Sequence, residues 1–239
     1  MTLPPFLLLP GNMCDARLWR DTRFPDDAII HHADLTDADT IAALAANALK
    51  QIDGVLIPVG FSMGGIVAAE MCRIAPERIA GLILLDTNIG ADLPERSALR
   101  IAQQQTVQQG KLAAIVADEL KPAYLAAANE DKAEIRQLLF DMALALGPGV
   151  FIRQSEALRT RSDNREVIAK MDIPVMLMCG EEDRLCLPAW HAKLAEHSHK
   201  ATLCMIANAG HMVPLEQPEA MNTNIAHWIT KNRGEICRA

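Results

Sequence analysis

Six short apolar runs, at residues 6–9, 28–32, 55–59, 79–85, 174–179 and 201–206, punctuate the chain, and helical patterns fill most of the intervals between them. Runs this short, bounded by turn residues, have the length of buried strands. Strands that alternate with helices build a parallel sheet covered on both faces, so an α/β fold is predicted. The first connecting helix is the clearest. Thr36 or Asp37 stands where a cap belongs, Ile41, Leu44, Ala45, Ala48 and Leu49 form an apolar stripe, and Asp53-Gly54 ends it. Pro58 sits awkwardly in the third run, because a proline removes a ladder donor from a central strand.

Between Asp86 and Met171 the strand rhythm stops. Helices are predicted at 95–109, 111–120, 131–146 and 150–159, separated by Gly110, Pro122 and Gly147-Pro148-Gly149. The interval reads as a helical cap, residues 91–166, inserted into a core made of residues 1–90 and 167–239. Half of the 239 residues are apolar, and the formal charge is −7. That balance argues against nucleic acid or an anionic membrane as the main partner and favours a small molecule. Residues 1–11 lack the basic region and cleavage site of a secretory signal, and no uninterrupted apolar run approaches about 18 residues, so a cytoplasmic location is expected. The six cysteines (Cys14, Cys72, Cys179, Cys186, Cys204, Cys237) lie far apart and mostly in apolar segments, as small core residues do.

The chemistry concentrates where the third run meets a helix, in Gly60-Phe61-Ser62-Met63-Gly64-Gly65. A serine hydroxyl is a weak nucleophile and needs an adjacent base, a group that orients the base, and donors for the oxyanion formed on attack. A sharp strand-to-helix turn lifts the serine above the sheet, glycines two residues either side leave room for close chain approach, and the helix opening at Met63 points N–H groups at developing negative charge. Asp183 follows the fifth run and His211 the sixth, so both loops open at the carboxyl edge of the sheet together with Ser62. The order of serine, then acid, then histidine completes the pattern.

With these residues the chain resembles the α/β-hydrolase-fold serine hydrolases, of the small, helix-capped carboxylesterase type. The likeness spans nearly the whole chain. It rests on 7–19 near the start, the serine turn, Gly180-x-x-Asp183 with Pro188 beyond it, and 210–219. The resemblance implies Ser62 as nucleophile, His211 as general base and acid, and Asp183 as the residue that orients His211. It also implies an oxyanion hole from the backbone N–H groups of Asn12 and Met63, with Met13 the alternative to Asn12, although Pro10 stands where the family has a histidine. The family's leading antiparallel strands are missing, which predicts a mostly parallel sheet of about six strands. Asp86, ending the fourth run, is the competitor to Asp183, since some relatives place the acid there.

Asp163 and Arg165 mark the return from the cap to the sheet. His191, His197 and His199 fall on a helix and its exit without a carboxylate cage and read as surface histidines, while His31 and His32 alternate across a strand. Neither metal nor cofactor is expected. The cap's only aromatics are Tyr124, Phe140 and Phe151, so an aliphatic pocket is predicted, and Arg153, Arg159, Arg161 and Arg165 stand where they could grip an acidic carrier or a substrate carboxylate. The expected activity is cleavage of a small carboxylic ester through an acyl-enzyme. Thioester, carbon–carbon and peroxide chemistry, and a ligand receptor without turnover, use the same fold and stay open.

Overall fold

The computed structural model describes residues 2–120 and 124–238. All six runs form strands: β1 (Phe6–Leu9), β2 (Ile30–His32), β3 (Ile57–Phe61), β4 (Leu82–Leu85), β5 (Val175–Gly180) and β6 (Ala201–Ile206). They make one sheet in the order β2-β1-β3-β4-β5-β6, parallel throughout. The chain winds outward from β1 to β2, then reverses and runs from β3 to β6. Connections after β1 and β3 therefore leave on opposite faces, and a crevice opens above their carboxyl ends.

Strand periodicity divides the core in two. Phe6, Leu8, Ile57, Val59, Met176 and Met178 face one side with Trp228 and Ile225, whereas Leu7, Leu9, Leu82, Leu84 and Leu177 face the other with Leu44, Ala48 and Val67. The second face is covered by α1 (Ile41–Leu49) and α2 (Met63–Ile74). Thr40, rather than Thr36 or Asp37, caps α1: its Oγ1 accepts the Ala43 N–H at 3.2 Å. Thr36 is instead tied to Asp34, and Asp37 accepts from Asn47, so the residues named from sequence are consumed in the turn before the helix.

β3 starts two residues later than its apolar run, and the register explains Pro58. Leu56 makes an isolated bridge to Ile79, and the continuous β3–β4 ladder begins only at Val59↔Ile83. The Leu56 N–H points to the β4 side, bonding Arg78 O, so by alternation the missing donor of Pro58 points to that side too, in the gap between bridge and ladder.

Between β4 and β5 the chain is helical: α3 (Pro94–Gln108), α4 (Leu112–Ala114) running into a π-helical turn over Ile115–Leu120, α5 (Ala133–Arg159) and α6 (Arg165–Lys170). α5 is two arms bent at Gly147, whose φ of 79° interrupts the helix as the Gly147-Pro148-Gly149 triplet predicts. Pro122, expected to separate two helices, lies outside the described residues. By length and composition α5 alone among the described helices could cross a membrane, but the bend divides it, and Ala143, Val150 and Phe151 are packed in an apolar cluster with Val107, Leu112, Ile115 and Val116. Met13, from the loop after β1, is buried in that same cluster.

The return to the sheet depends on Asn164 rather than its charged neighbours. Asp163 and Arg165 pair with each other, while the buried Asn164 donates its backbone N–H to Ile89 O at 2.9 Å and its side-chain amide to Glu70 of α2 at 3.0 Å. After β5 come α7 (Pro188–His197), α8 (Val213–Glu216) and α9 (Pro218–Ile236). Cys14, Cys72 and Cys179 are buried thiols, consistent with core roles.

Candidate active site

Ser62 occupies the turn between β3 and α2 with φ 51° and ψ −114°, a conformation rarely adopted by a residue with a side chain. Its backbone is held from below, because the Ser62 N–H donates to Leu85 O at 2.9 Å and Thr87 Oγ1 donates to Ser62 O at 2.7 Å. The flanking glycines are required for lack of space. A Cβ at Gly60 would lie 2.5 Å from the Gly64 carbonyl oxygen, and one at Gly64 only 2.0 Å from that of Leu9.

His211 Nε2 lies 3.0 Å from Ser62 Oγ, and His211 Nδ1 lies 2.8 Å from Asp183 Oδ2. The other oxygen of Asp183 accepts the N–H groups of Leu185 at 2.8 Å and Cys186 at 2.9 Å. Burial pushes this carboxyl up, but the His211 ring and the two N–H donors outweigh burial and hold it below the usual carboxylate range. An ionised Asp183 only accepts, so Nδ1 of His211 carries the proton and Nε2 is left to accept from the serine. The imidazole is packed between Phe61 and Tyr124, with ring centroids 5.2 and 5.7 Å away.

Asp86 makes no bond to His211. It is fully buried, and its Oδ1 accepts the Gly180 N–H at 2.9 Å. Burial and then the charge of Asp183 push the Asp86 carboxyl well above the ordinary range. Of the two candidate acids, the structure joins Asp183 to the histidine and leaves Asp86 apart from it.

The loop after β1 is a tight turn closed by the Cys14 N–H on Gly11 O at 3.1 Å, with Met13 at φ 54°. Its order comes from α5. Gln154 Oε1 accepts the Met13 N–H at 2.8 Å and the Asn12 side-chain amide at 3.1 Å, while Gln154 Nε2 donates to Leu35 O at 3.0 Å. With the Met13 N–H engaged by Gln154, the backbone N–H of Asn12 is the one of the two without a partner among the described residues. The Met63 N–H, first in α2, has no intrahelical acceptor.

Glu216 and Gln154 carry no signal in the sequence, and His191 is placed differently from its sequence reading. Glu216 of α8 is buried and accepts from the N–H groups of Gly210, Met212 and Ala126 and from the Asn129 side chain, at 2.7–3.0 Å, pinning the loop that carries His211. His191 of α7 is buried, not on the surface as expected from its helix position; its Nε2 accepts the Thr87 N–H at 3.1 Å, and burial pushes it down to about 4. His197 and His199 are exposed, and His31 and His32 lie on the sheet's edge strand.

Ser62 and His211 open on a cavity of about 400 Å³. Apolar walls come from Ile66, Leu99, Leu120, Leu158 and Trp190. Tyr124 and Trp190 add aromatic surface to the aliphatic lining expected, and Trp190 was not predicted because it arrives from α7 rather than from the inserted helices. Of the four arginines singled out by sequence, only Arg161 lines this cavity. Arg153 donates to Thr36 O, Arg159 pairs with Glu156 and Arg165 with Asp163, so each is engaged elsewhere. Arg96 and Arg100 of α3 line it instead.

Among the described residues, two groups bring possible metal ligands together, Asp183 with Cys186 and His211, and Asp86 with Cys179 and Asp183. Burial pushes both thiols up, which keeps them protonated, and both oxygens of Asp183 already accept bonds, so a cation would have to displace the contacts that orient His211.

The comparisons agree with this architecture. The chain is 28% identical over 181 residues to the dihydrolipoyllysine-residue acetyltransferase component of the acetoin cleaving system of Pseudomonas putida; the alignment covers 72% of this chain but 45% of that protein, so the chain spans less than half of this relative's length. It is 29% identical over 187 residues to 3-oxoadipate enol-lactonase 2 of Acinetobacter baylyi, covering 76% of this chain and 68% of the lactonase. In fold it is similar to a thermophilic esterase from Thermogutta terrifontis, with a TM-score of 0.84 at 24% identity over 96% of this chain and 90% of the esterase. The model of the alpha/beta hydrolase family matches residues 6–223. The chain belongs to the alpha/beta hydrolase family.

Proposed function

We propose that the protein is a serine hydrolase that cleaves a small carboxylic ester through an acyl-enzyme. The observation that carries the reading is the unbroken line from Ser62 Oγ through His211 to Asp183, open to a cavity at the serine end. His211 Nε2 takes the hydroxyl proton as Ser62 Oγ bonds to the ester carbonyl carbon, and the carbonyl oxygen becomes an oxyanion between the N–H groups of Asn12 and Met63. The imidazolium, stabilised by Asp183, returns the proton to the departing alkoxide, leaving an acyl group on Ser62. Water then attacks with His211 again as base, and the carboxylic acid leaves. Thioester hydrolysis, carbon–carbon bond hydrolysis and perhydrolysis would run on the same groups and differ in the bond presented to Ser62.

The test is turnover of a p-nitrophenyl ester of a short acid. A burst followed by steady release is expected, and Ser62→Ala should lower kcat by several orders of magnitude while leaving the fold intact. A Ser62→Ala enzyme with more than about a tenth of the activity removes the serine from the mechanism. A burst without turnover, or no labelling of Ser62 by a fluorophosphonate, points instead to a ligand receptor or a scaffold.

A further inference from the structure

The cavity above Ser62 is mostly apolar, yet it contains more positive than negative charge. Arg96, Arg100 and Arg161 line it together with Asp92 and Glu119. Arg161 is almost wholly buried, with 6% of its side chain exposed, and its donors go to Asp92, Gly90 O and Leu158 O. Arg100 sends Nε to the other oxygen of Asp92 at 3.1 Å. Asp92 therefore serves two guanidinium groups at once, and Glu119 accepts from Gln103 at 2.8 Å. The terminal Nη groups of Arg100 have no partner among the described residues, and Arg96 makes neither an ion pair nor a hydrogen bond there. Among the described residues that line the cavity, the arginines thus exceed the carboxylates by one, in a chain whose formal charge is −7. The excess is local.

Two planar guanidinium forks with free donors are the arrangement that a carboxylate satisfies bidentately, and one added negative charge brings the cavity to neutrality. Arg96 and Arg161 also act electrostatically on the Cys186 thiol, and Arg96 and Arg100 on the Tyr124 hydroxyl. Cys186 follows Asp183 by three residues and Tyr124 packs on His211, so the arginines lie within electrostatic reach of the reacting groups. We infer that the cavity takes an ester carrying a second, ionised carboxylate, held by Arg96 and Arg100 while Ser62 attacks the ester carbonyl; Arg161 and Asp92 fix Arg100 in place. The inference rests on the ester-hydrolase reading and narrows its substrate class to half-esters of short dicarboxylic acids.

Monomethyl adipate and methyl hexanoate have the same length and differ in the terminal carboxylate, so they form the test pair. Wild-type kcat/KM should favour the half-ester by at least about tenfold, mainly through KM, as expected for hydrogen bonds to a charged group. Arg96→Gln and Arg100→Gln should each lower that ratio about tenfold, and Arg96→Lys should keep most of it. Arg96 is the primary variant, because it makes no ion pair or hydrogen bond among the described residues. The second measurement is calorimetric titration of the Ser62→Ala protein with monomethyl adipate and with methyl hexanoate, repeated with Arg96→Gln added. Tighter binding of the half-ester that is lost with Arg96 upholds the anion subsite even where neither ester turns over, an outcome that would sink only the hydrolytic reading. Turnover of both esters without preference, or a preference that survives both glutamine variants, overturns the subsite and leaves the hydrolase intact.

Discussion

Asp183 and Asp86 approach one another deep in the sheet edge, with carboxylate oxygens within 4.8 Å, and their environments shift them in opposite directions. His211 and two backbone N–H groups hold Asp183 below the usual carboxylate range, whereas burial and the charge of Asp183 push Asp86 well above it. The difference predicts unequal variants. Asp183→Asn should lower kcat by about 10⁴, through loss of the productive imidazole tautomer. Asp86→Asn replaces a carboxyl that burial pushes toward its neutral form with an amide of the same shape and keeps the acceptor for Gly180, so its effect on kcat should be within about tenfold. Steady-state kinetics of the two variants on one ester decide the matter, and a larger loss for Asp86→Asn would reverse the assignment of the acid.

At the scale of elements, the turn after β1, which carries the proposed oxyanion donor, is shaped by α5, which belongs to a part of the chain more than a hundred residues away. Met13 is anchored twice, by its side chain among the inserted helices and by its N–H on Gln154. Without that anchor, a non-glycine residue at φ 54° would relax and turn the Asn12 N–H away from the oxyanion. Asn12→Pro deletes the donor and should cost about 10²–10³ in kcat. Asn12→Ala loses only a side-chain bond to Gln154 and should be mild. Gln154→Ala leaves the donor present but unsupported, so kcat should fall with little change in KM. An Asn12→Ala enzyme as impaired as Asn12→Pro would transfer the role to the side chain and refute the backbone assignment.

Over the whole molecule, buried titratable groups make stability depend on pH. His191 is pushed down to about 4 by burial, whereas in the unfolded chain it takes a proton near about 6.5. The unfolded state therefore binds more protons between those values. Stability is fully present above about 6.5 and is lost as pH falls towards about 4, by an amount on the order of 3 kcal/mol. Asp86 acts with the opposite sign: its raised carboxyl favours the fold below the ordinary carboxylate value, and that contribution is lost as pH rises through its folded pKa. Urea unfolding as a function of pH should show the acid-side loss in the wild type and a flatter acid limb in His191→Gln, whose amide oxygen can still accept from Thr87. An unchanged acid limb in that variant would remove His191 as the cause.

The strands, the bent helix at Gly147, the Ser62 turn and the loops bearing Asp183 and His211 were legible from residue order, because each rests on a local rule: apolar periodicity, a glycine where no Cβ fits, or a loop following a strand. Pro58 was only half legible, since the gap that accommodates it is a property of the neighbouring strand. Whether Asp183 or Asp86 meets His211, and whether the N–H of Asn12 or of Met13 is taken up by Gln154, depended on which atoms meet, as did the burial of His191. Glu216, Gln154, Arg96 and Arg100 carry no local signal, for they act on groups brought to them by the fold: Gln154 reaches Met13 across 141 residues and Glu216 reaches Ala126 across 90. A chain's sequence states its neighbours along the backbone, and so it determined the elements and the serine, acid and histidine of the candidate triad. Which side chains support that triad and which charges line the cavity beside it was decided only by tertiary packing, where contacts and desolvation depend on distance in space.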